Sequence, residues 1–246
     1  MLCSWCLDSW FSNLRWRTEV KWGGPARLIV GAGRYAGWAG LALVPVFLWA
    51  AFVYAPEEAV QGPIQRIFYI HVPVALNSFL AFGWAGVAGG AYLFTRDRGW
   101  DATGQAAAEV GLVYGALVLI TGPLWAKPVW GVWWTWDARL TSMLILWLTF
   151  VAYAVVRSAN GGERGARVAS ILAIAGALNI PFVRFATERF RTLHPGNVVK
   201  AGLDERMHAG VLIGVAMMGL WGLWFTGRRI LIEMHREACA ELEAMD

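Results

Sequence analysis

The stretch His71–Phe94, H-V-P-V-A-L-N-S-F-L-A-F-G-W-A-G-V-A-G-G-A-Y-L-F, contains no Asp, Glu, Lys or Arg. A helix needs about 20 mostly apolar residues to cross the hydrocarbon core of a bilayer. A strand of a membrane barrel would instead alternate apolar and polar side chains. This stretch is continuously apolar, so it reads as a spanning helix. Five other segments read the same way: Ile29–Tyr54, Ala107–Trp125, Leu140–Val156, Val168–Phe185 and His208–Thr226. The whole chain agrees: its 246 residues are 58% hydrophobic and only 15% charged, with a mean hydropathy of +0.48. Soluble domains carry roughly a quarter charged residues. The expected fold is an all-α integral membrane protein, a bundle of six transmembrane helices. Pro45, Pro73, Pro123 and Pro181 lie inside or near the ends of the spans, where they are expected to kink or end a helix.

Six spans put both termini on one side. Thirteen of the 21 Lys and Arg fall on that side: Arg15, Arg17, Lys21, Arg27 and Arg34, then Arg96 and Arg98, Arg157, Arg164 and Arg167, and Arg228, Arg229 and Arg236. The first two opposite loops hold only Arg66, Lys127 and Arg139. The remainder sit in a longer third loop, which weighs less in the positive-inside rule. Both termini are therefore expected to be cytoplasmic. Residues 1–28 read as a cytoplasmic N-terminal extension, 29–226 as the six-helix membrane domain and 227–246 as a cytoplasmic tail. No apolar stretch with a small-residue cleavage site marks a signal peptide in the first 28 residues. A pI near 9.2 suits the anionic lipid bilayer rather than nucleic acid. Cys3, Cys6 and Cys239 all fall on the reducing side, so no disulfide framework is expected. Cys3-x-x-Cys6 alone is too weak a signal to assign metal or redox chemistry.

The outward loops then include Trp125–Asp137, W-A-K-P-V-W-G-V-W-W-T-W-D, with Trp at 125, 130, 133, 134 and 136. As a helix the segment would bring Trp130, Trp133 and Trp134 onto one face with the neighbourhood of Asp137; as an extended loop it would spread the rings into a shelf. Either form offers a polarisable apolar surface edged by indole N–H groups. Interfacial belts also use Trp. A belt does not explain five in one loop while the other two outer loops, Ala55–Ile70 and Ala186–Met207, have none.

Three of the four histidines fall at the same end: His71, His194 in T-L-H-P-G, and His208. A single interfacial His is ordinarily an anchor or helix-end partner, but neutral imidazole is also a common iron ligand. Ile64, Ile67, Phe68 and His71 fall at helical spacing, which predicts a short amphipathic helix on the membrane with His71 at the bilayer surface. Asp137 and Arg139 admit a bland reading, a helix N-terminal carboxylate and a snorkelling Arg. Lys127 and Arg139 are alternatively candidate partners for the carboxylates of an anionic ligand. Haem combines an apolar ring, two propionates and an iron, and so would use all of these features.

The run Trp130–Ser142, W-G-V-W-W-T-W-D-A-R-L-T-S, resembles the tryptophan-rich WWD signature of haem-handling proteins in cytochrome c biogenesis. Y-I-H-V-P at 69–73, W-A-K-P-V-W-G at 125–131, T-L-H-P-G at 192–196 and the six-span layout are similar to the haem exporter protein C family of the bacterial cytochrome c maturation system. The likeness covers about residues 25–230. It implies a multi-pass protein of the bacterial inner membrane with a periplasmic WWD segment over residues 125–142. It implies haem b as bound cargo, with His71 and His194 as axial ligands and Trp125, Trp130, Trp133, Trp134, Trp136 and Asp137 as the platform. His208 matches no motif of the family. The implied partners are a membrane-anchored periplasmic haem chaperone, an ABC ATPase with its membrane subunit, and a small single-span accessory subunit. No GxxxxGK[ST] loop is present, so ATP hydrolysis is assigned to another subunit. The chain shows no nucleophile–base pair on the outward side, so it is not expected to be an enzyme. The alternatives are a transporter that conducts haem through its own helices, which would need ionisable groups along an internal path, and a structural subunit that its tryptophans merely anchor. The spans offer little of such a path: Arg34, Asn77, Glu109, Asn179 and Arg184 lie mostly near the span ends.

Overall fold

The computed structural model describes residues 24–194 and 203–243. The expectations for residues 1–23, with Cys3 and Cys6, for residues 195–202 of the third loop and for residues 244–246 of the tail lie outside the described residues. Six long helices follow one another: α1 Gly24–Trp49, α2 Phe68–Thr95, α3 Arg98–Trp130, α4 Ala138–Ala159, α5 Gly162–Arg189 and α6 Glu205–Glu243. All six are long and apolar enough to cross a membrane, and no strand occurs among the described residues.

The helices run beyond the expected spans. The clearest case is α3, which begins at Arg98 rather than Ala107. The added stretch carries the polar Asp101 and Gln105. In the fold both face Arg157 of α4: the guanidinium donates to Asp101 Oδ1 and Oδ2 at 3.2 and 3.0 Å and also to Gln105 Oε1. A paired, bidentate carboxylate no longer opposes burial as a lone one does. Asp97 starts the helix by accepting from the Gly99 N–H at 2.7 Å, an N-cap in the usual sense.

Pro45, Pro73, Pro123 and Pro181 all lie inside helices, so none ends its span. Five residues after Pro45, α1 loosens into a π-helical turn, Ala50–Tyr54. Arg66, from the following 3-10 turn Pro63–Ile67, donates to the carbonyls of Ala51 and Ala55 there.

Helix α2 is central and packs on α3, α5 and α6. Helix α1 is held chiefly by α6, and α4 chiefly by α5. The α1–α6 seam closes to backbone contact. A Cβ on Gly33 would lie 3.0 Å from the Leu223 carbonyl, and one on Gly227 3.1 Å from the Ile29 carbonyl. Small residues at such crossings let helices gain packing where lipid offers no hydrophobic drive to associate. In the middle of the bundle Phe82 stacks on Phe150 at 4.1 Å, with Val74, Leu146 and Val183 around them. A second apolar cluster, of Phe47, Phe68, Tyr69, Trp125, Met207 and Val211, lies towards the end where the α1–α2, α3–α4 and α5–α6 connections meet. That end carries the candidate site.

Candidate haem site

The tryptophan segment is half helix and half loop. Trp125 and Trp130 belong to the end of α3. The helix stops at Gly131, whose φ of 79° is left-handed and whose N–H bonds back to the Lys127 carbonyl at 3.0 Å. Glycine suits this position because a Cβ there would strain the backbone. Residues 131–137 then run without regular structure to Asp137. The rings therefore do not share one face. Trp125 is buried, Trp130 and Trp134 are half-buried, and Trp133 and Trp136 are 55% and 76% exposed. Trp134 and Trp136 meet edge to face at 5.8 Å.

His71 lies in the first turn of α2 and is only 8% exposed. The 3-10 turn Pro63–Ile67 is continuous with α2 rather than a separate surface helix. Turning with α2 carries the imidazole inward against α3. There the Trp125 ring meets it edge-on with centroids 5.9 Å apart, and Thr121 Oγ1 lies 2.8 Å from Nδ1. Trp125 is fixed in turn by Gln61 of the α1–α2 connection, whose Oε1 accepts the indole N–H at 2.9 Å.

The fold brings His194 to His71. Their ring centroids are 6.5 Å apart with planes inclined at 39°. Two metal–nitrogen bonds of about 2 Å each, added to the half-widths of two imidazoles, come to roughly the same separation. Among the described residues no cluster of three or more His, Cys, Asp or Glu could hold a metal ion. Two imidazoles at this spacing match the axial pair of a metal that brings its own equatorial nitrogens.

Asp137 positions the loop that carries His194. Its Oδ1 accepts from the backbone N–H groups of Arg139 and Leu140 at 3.0 and 2.9 Å, capping α4. Its Oδ2 accepts from the Thr135 and Thr192 hydroxyls at 2.9 and 2.8 Å. Thr192 Oγ1 accepts in turn from the His194 backbone N–H at 3.1 Å. Burial by itself would raise the Asp137 carboxyl. The bonds from Leu140, Thr192, Thr135 and Arg139 outweigh it and hold the pKa below the usual carboxylate value.

Trp130, Trp134, Leu140, Leu193 and His194 line a shallow, largely apolar cleft with an empty volume of about 210 Å³. The water-sized space inside it is only about 10 Å³, far below the roughly 300–1,000 Å³ of ordinary ligand pockets, so it has room for no more than the edge of a large planar ligand. The Trp134 indole N–H is buried without an acceptor among the described residues. Lys127 is exposed and folds back on the Gly131 carbonyl at 2.9 Å, while Arg139 leans towards the Val183 carbonyl of α5 at 3.4 Å. His208 lies in the first turn of α6, its N–H bonded to the Asp204 carbonyl. Thr121, Gln61 and Thr192 were not singled out by sequence. Two left a trace: Thr121 precedes Trp125 by one helical turn and so shares its face, and Thr192 opens the T-L-H-P-G run.

With this geometry in place, comparison with known proteins is specific. A family model described as heme exporter protein C matches residues 20–245. The chain belongs to the heme exporter protein C family. It is 37% identical to the heme exporter protein C of Bradyrhizobium diazoefficiens over 209 residues, which cover 82% of this chain and 78% of the relative. The heme exporter protein C of Escherichia coli is 34% identical over 200 residues, 79% of this chain and 81% of the relative. A putative cytochrome c biosynthesis CcmC-like mitochondrial protein of Marchantia polymorpha is 34% identical over 193 residues, 76% and 82% of the two chains. Members of the heme exporter protein C family thus align with this chain over most of its length.

Proposed function

We propose that this chain binds haem at the periplasmic face of the bacterial inner membrane and hands it to a membrane-anchored periplasmic haem chaperone for c-type cytochrome assembly. In this reading both termini are cytoplasmic and the chain works within an ABC-type export complex, beside an ATPase, its membrane subunit and a small single-span subunit. The observation that carries the reading is the 6.5 Å approach of the His71 and His194 rings, a spacing suited to two axial ligands of one iron. Family membership supports it, since the relatives are named heme exporter protein C.

The residues present fit haem b as cargo. The imidazoles would ligate the iron, and Trp130 and Trp134 would flank the ring edge in their apolar cleft. A propionate would supply the acceptor that the Trp134 N–H lacks, since an unsatisfied buried donor costs about 1–3 kcal/mol. Trp125 acts from beneath by packing on His71. Trp133 and Trp136, exposed beside the cleft, are left to meet the far side of the macrocycle or the acceptor protein. Lys127 and Arg139 remain candidates for the propionates.

A path through the helices is less well supported. Glu109, Asp101, Asn77 and Asn179 each make a contact with a neighbouring helix. Glu109 of α3 pairs with Arg229 of α6 at 2.7 Å, and Asp101 with Arg157. Asn77 donates to the Pro73 and Val215 carbonyls, and Asn179 to that of Ser142. The proposed role is presentation and transfer, not covalent catalysis. Haem content of the purified full-length protein tests it. Wild type should retain haem, and a His71→Ala/His194→Ala double variant should lose it or lose its six-coordinate character. An unchanged content and spectrum in the double variant would sink the axial assignment.

A further inference from the structure

We infer that Thr121 is a positioning residue that fixes the His71 imidazole in the Nδ1–H tautomer, so that Nε2 is the nitrogen offered to iron. The inference rests on the proposed reading of His71 as an axial ligand and adds the group that selects its ligating atom.

Thr121 Oγ1 has two close partners. It lies 2.7 Å from the Leu117 carbonyl oxygen, one turn back on α3, and 2.8 Å from His71 Nδ1 on α2. A carbonyl has no proton, so the first contact uses the single hydroxyl hydrogen of Thr121. The oxygen is then left only lone pairs to offer the ring. The second contact is a hydrogen bond only if Nδ1 carries the proton. A neutral imidazole has one N–H, so Nε2 must hold the free lone pair. Thr149 and Thr226 make the same back-bond, to Ile145 and Gly222. Of these three threonines only Thr121 also meets a histidine ring.

The surroundings stiffen this arrangement. Trp125, one turn on from Thr121, packs edge-on against the ring. At Gly122 the α3 backbone itself passes beside it, since a Cβ there would lie 3.5 Å from His71 Cε1. With His71 only 8% exposed, water competes poorly for Nδ1. A ligating histidine held through its other nitrogen is oriented and made more basic, and loss of such a partner commonly weakens metal binding by about 10–100-fold.

The test has three parts, all on the full-length protein in detergent. In haem-free wild type, ¹⁵N NMR of labelled histidine should give His71 a pyrrole-type Nδ1 and a pyridine-type Nε2. In haem titrations Thr121→Val, of the same shape without the hydroxyl, should bind about 10–100-fold more weakly and show a raised reduction potential. Thr121→Ser should restore both. A protonated Nε2 in wild type, or Thr121→Val with wild-type affinity and potential, overturns the inference. If Thr121→Val does not fold, the wild-type NMR result decides alone. His71→Ala separates this inference from the reading beneath it. If His71→Ala binds haem normally, the axial assignment itself is wrong. If His71→Ala loses haem while Thr121→Val does not change, only the role of Thr121 falls.

Discussion

Removing the Asp137 carboxylate should loosen His194 without touching the ligand. Asp137→Ala abolishes four bonds: two from backbone N–H groups at the start of α4 and two from the Thr135 and Thr192 hydroxyls. Loss of an N-cap costs about 1 kcal/mol. Each charge-assisted bond adds about 1.5 kcal/mol at the low end of its range. The sum is about 4 kcal/mol if all are fully desolvated. Asp137 is only half-buried, so water replaces part of each bond and about 2–3 kcal/mol is expected. Thr192→Val removes only the link to the His194 loop, with an expected cost of about 1 kcal/mol. Because the two substitutions delete a shared bond, the double variant should cost less than the sum of the singles by about 0.5 kcal/mol or more. Unfolding in detergent measures these differences, and haem titration measures their consequence at His194. Strict additivity, or unaltered haem affinity in both singles, would refute the idea that Asp137 acts through Thr192.

Other outcomes follow from the same geometry. The Asp137 pKa is lowered in the folded protein, so its stabilising contribution is complete above the unfolded value near 3.9 and is lost as pH falls through the folded value. Acid unfolding of Asp137→Asn should therefore lack that component, and a profile identical to wild type would contradict it. Gly33→Ala should destabilise the α1–α6 seam by about 1–3 kcal/mol through overpacking. Gly31→Ala, where a Cβ meets nothing within 4 Å, should be neutral, and equal thermal midpoints for the two would be evidence against a close seam. Asp101→Ala should destabilise more than the pair replacement Asp101→Leu/Arg157→Met, since the single leaves Arg157 without its carboxylate. The reverse order of unfolding midpoints would contradict that.

The six helices were legible because a continuous apolar run of spanning length has few other structures open to it. Their ends were less so. Residues 98–106 carry Asp101 and Gln105, and nothing local announces that Arg157, on another helix, accommodates them. The tryptophan segment drew attention by density, but density does not say which ring goes where. Gly131 divides it by ending α3, which leaves Trp125 in the core and Trp136 in the open. His71 was legible as the residue that opens an apolar run; that continuity of the 3-10 turn with α2 turns its ring towards α3 was not. Its approach to His194 is a product of tertiary packing between connections far apart in sequence, and the same holds for Thr121 and Thr192, ordinary threonines until their partners arrive.

The claim that His71 and His194 share one iron is met most directly by the visible spectrum of the purified full-length protein, oxidised and reduced, beside His71→Ala and His194→Ala. A low-spin, bis-histidine spectrum in wild type, converted by either single substitution to a high-spin or five-coordinate one, is the result this account predicts. A wild-type spectrum that survives both substitutions would contradict it.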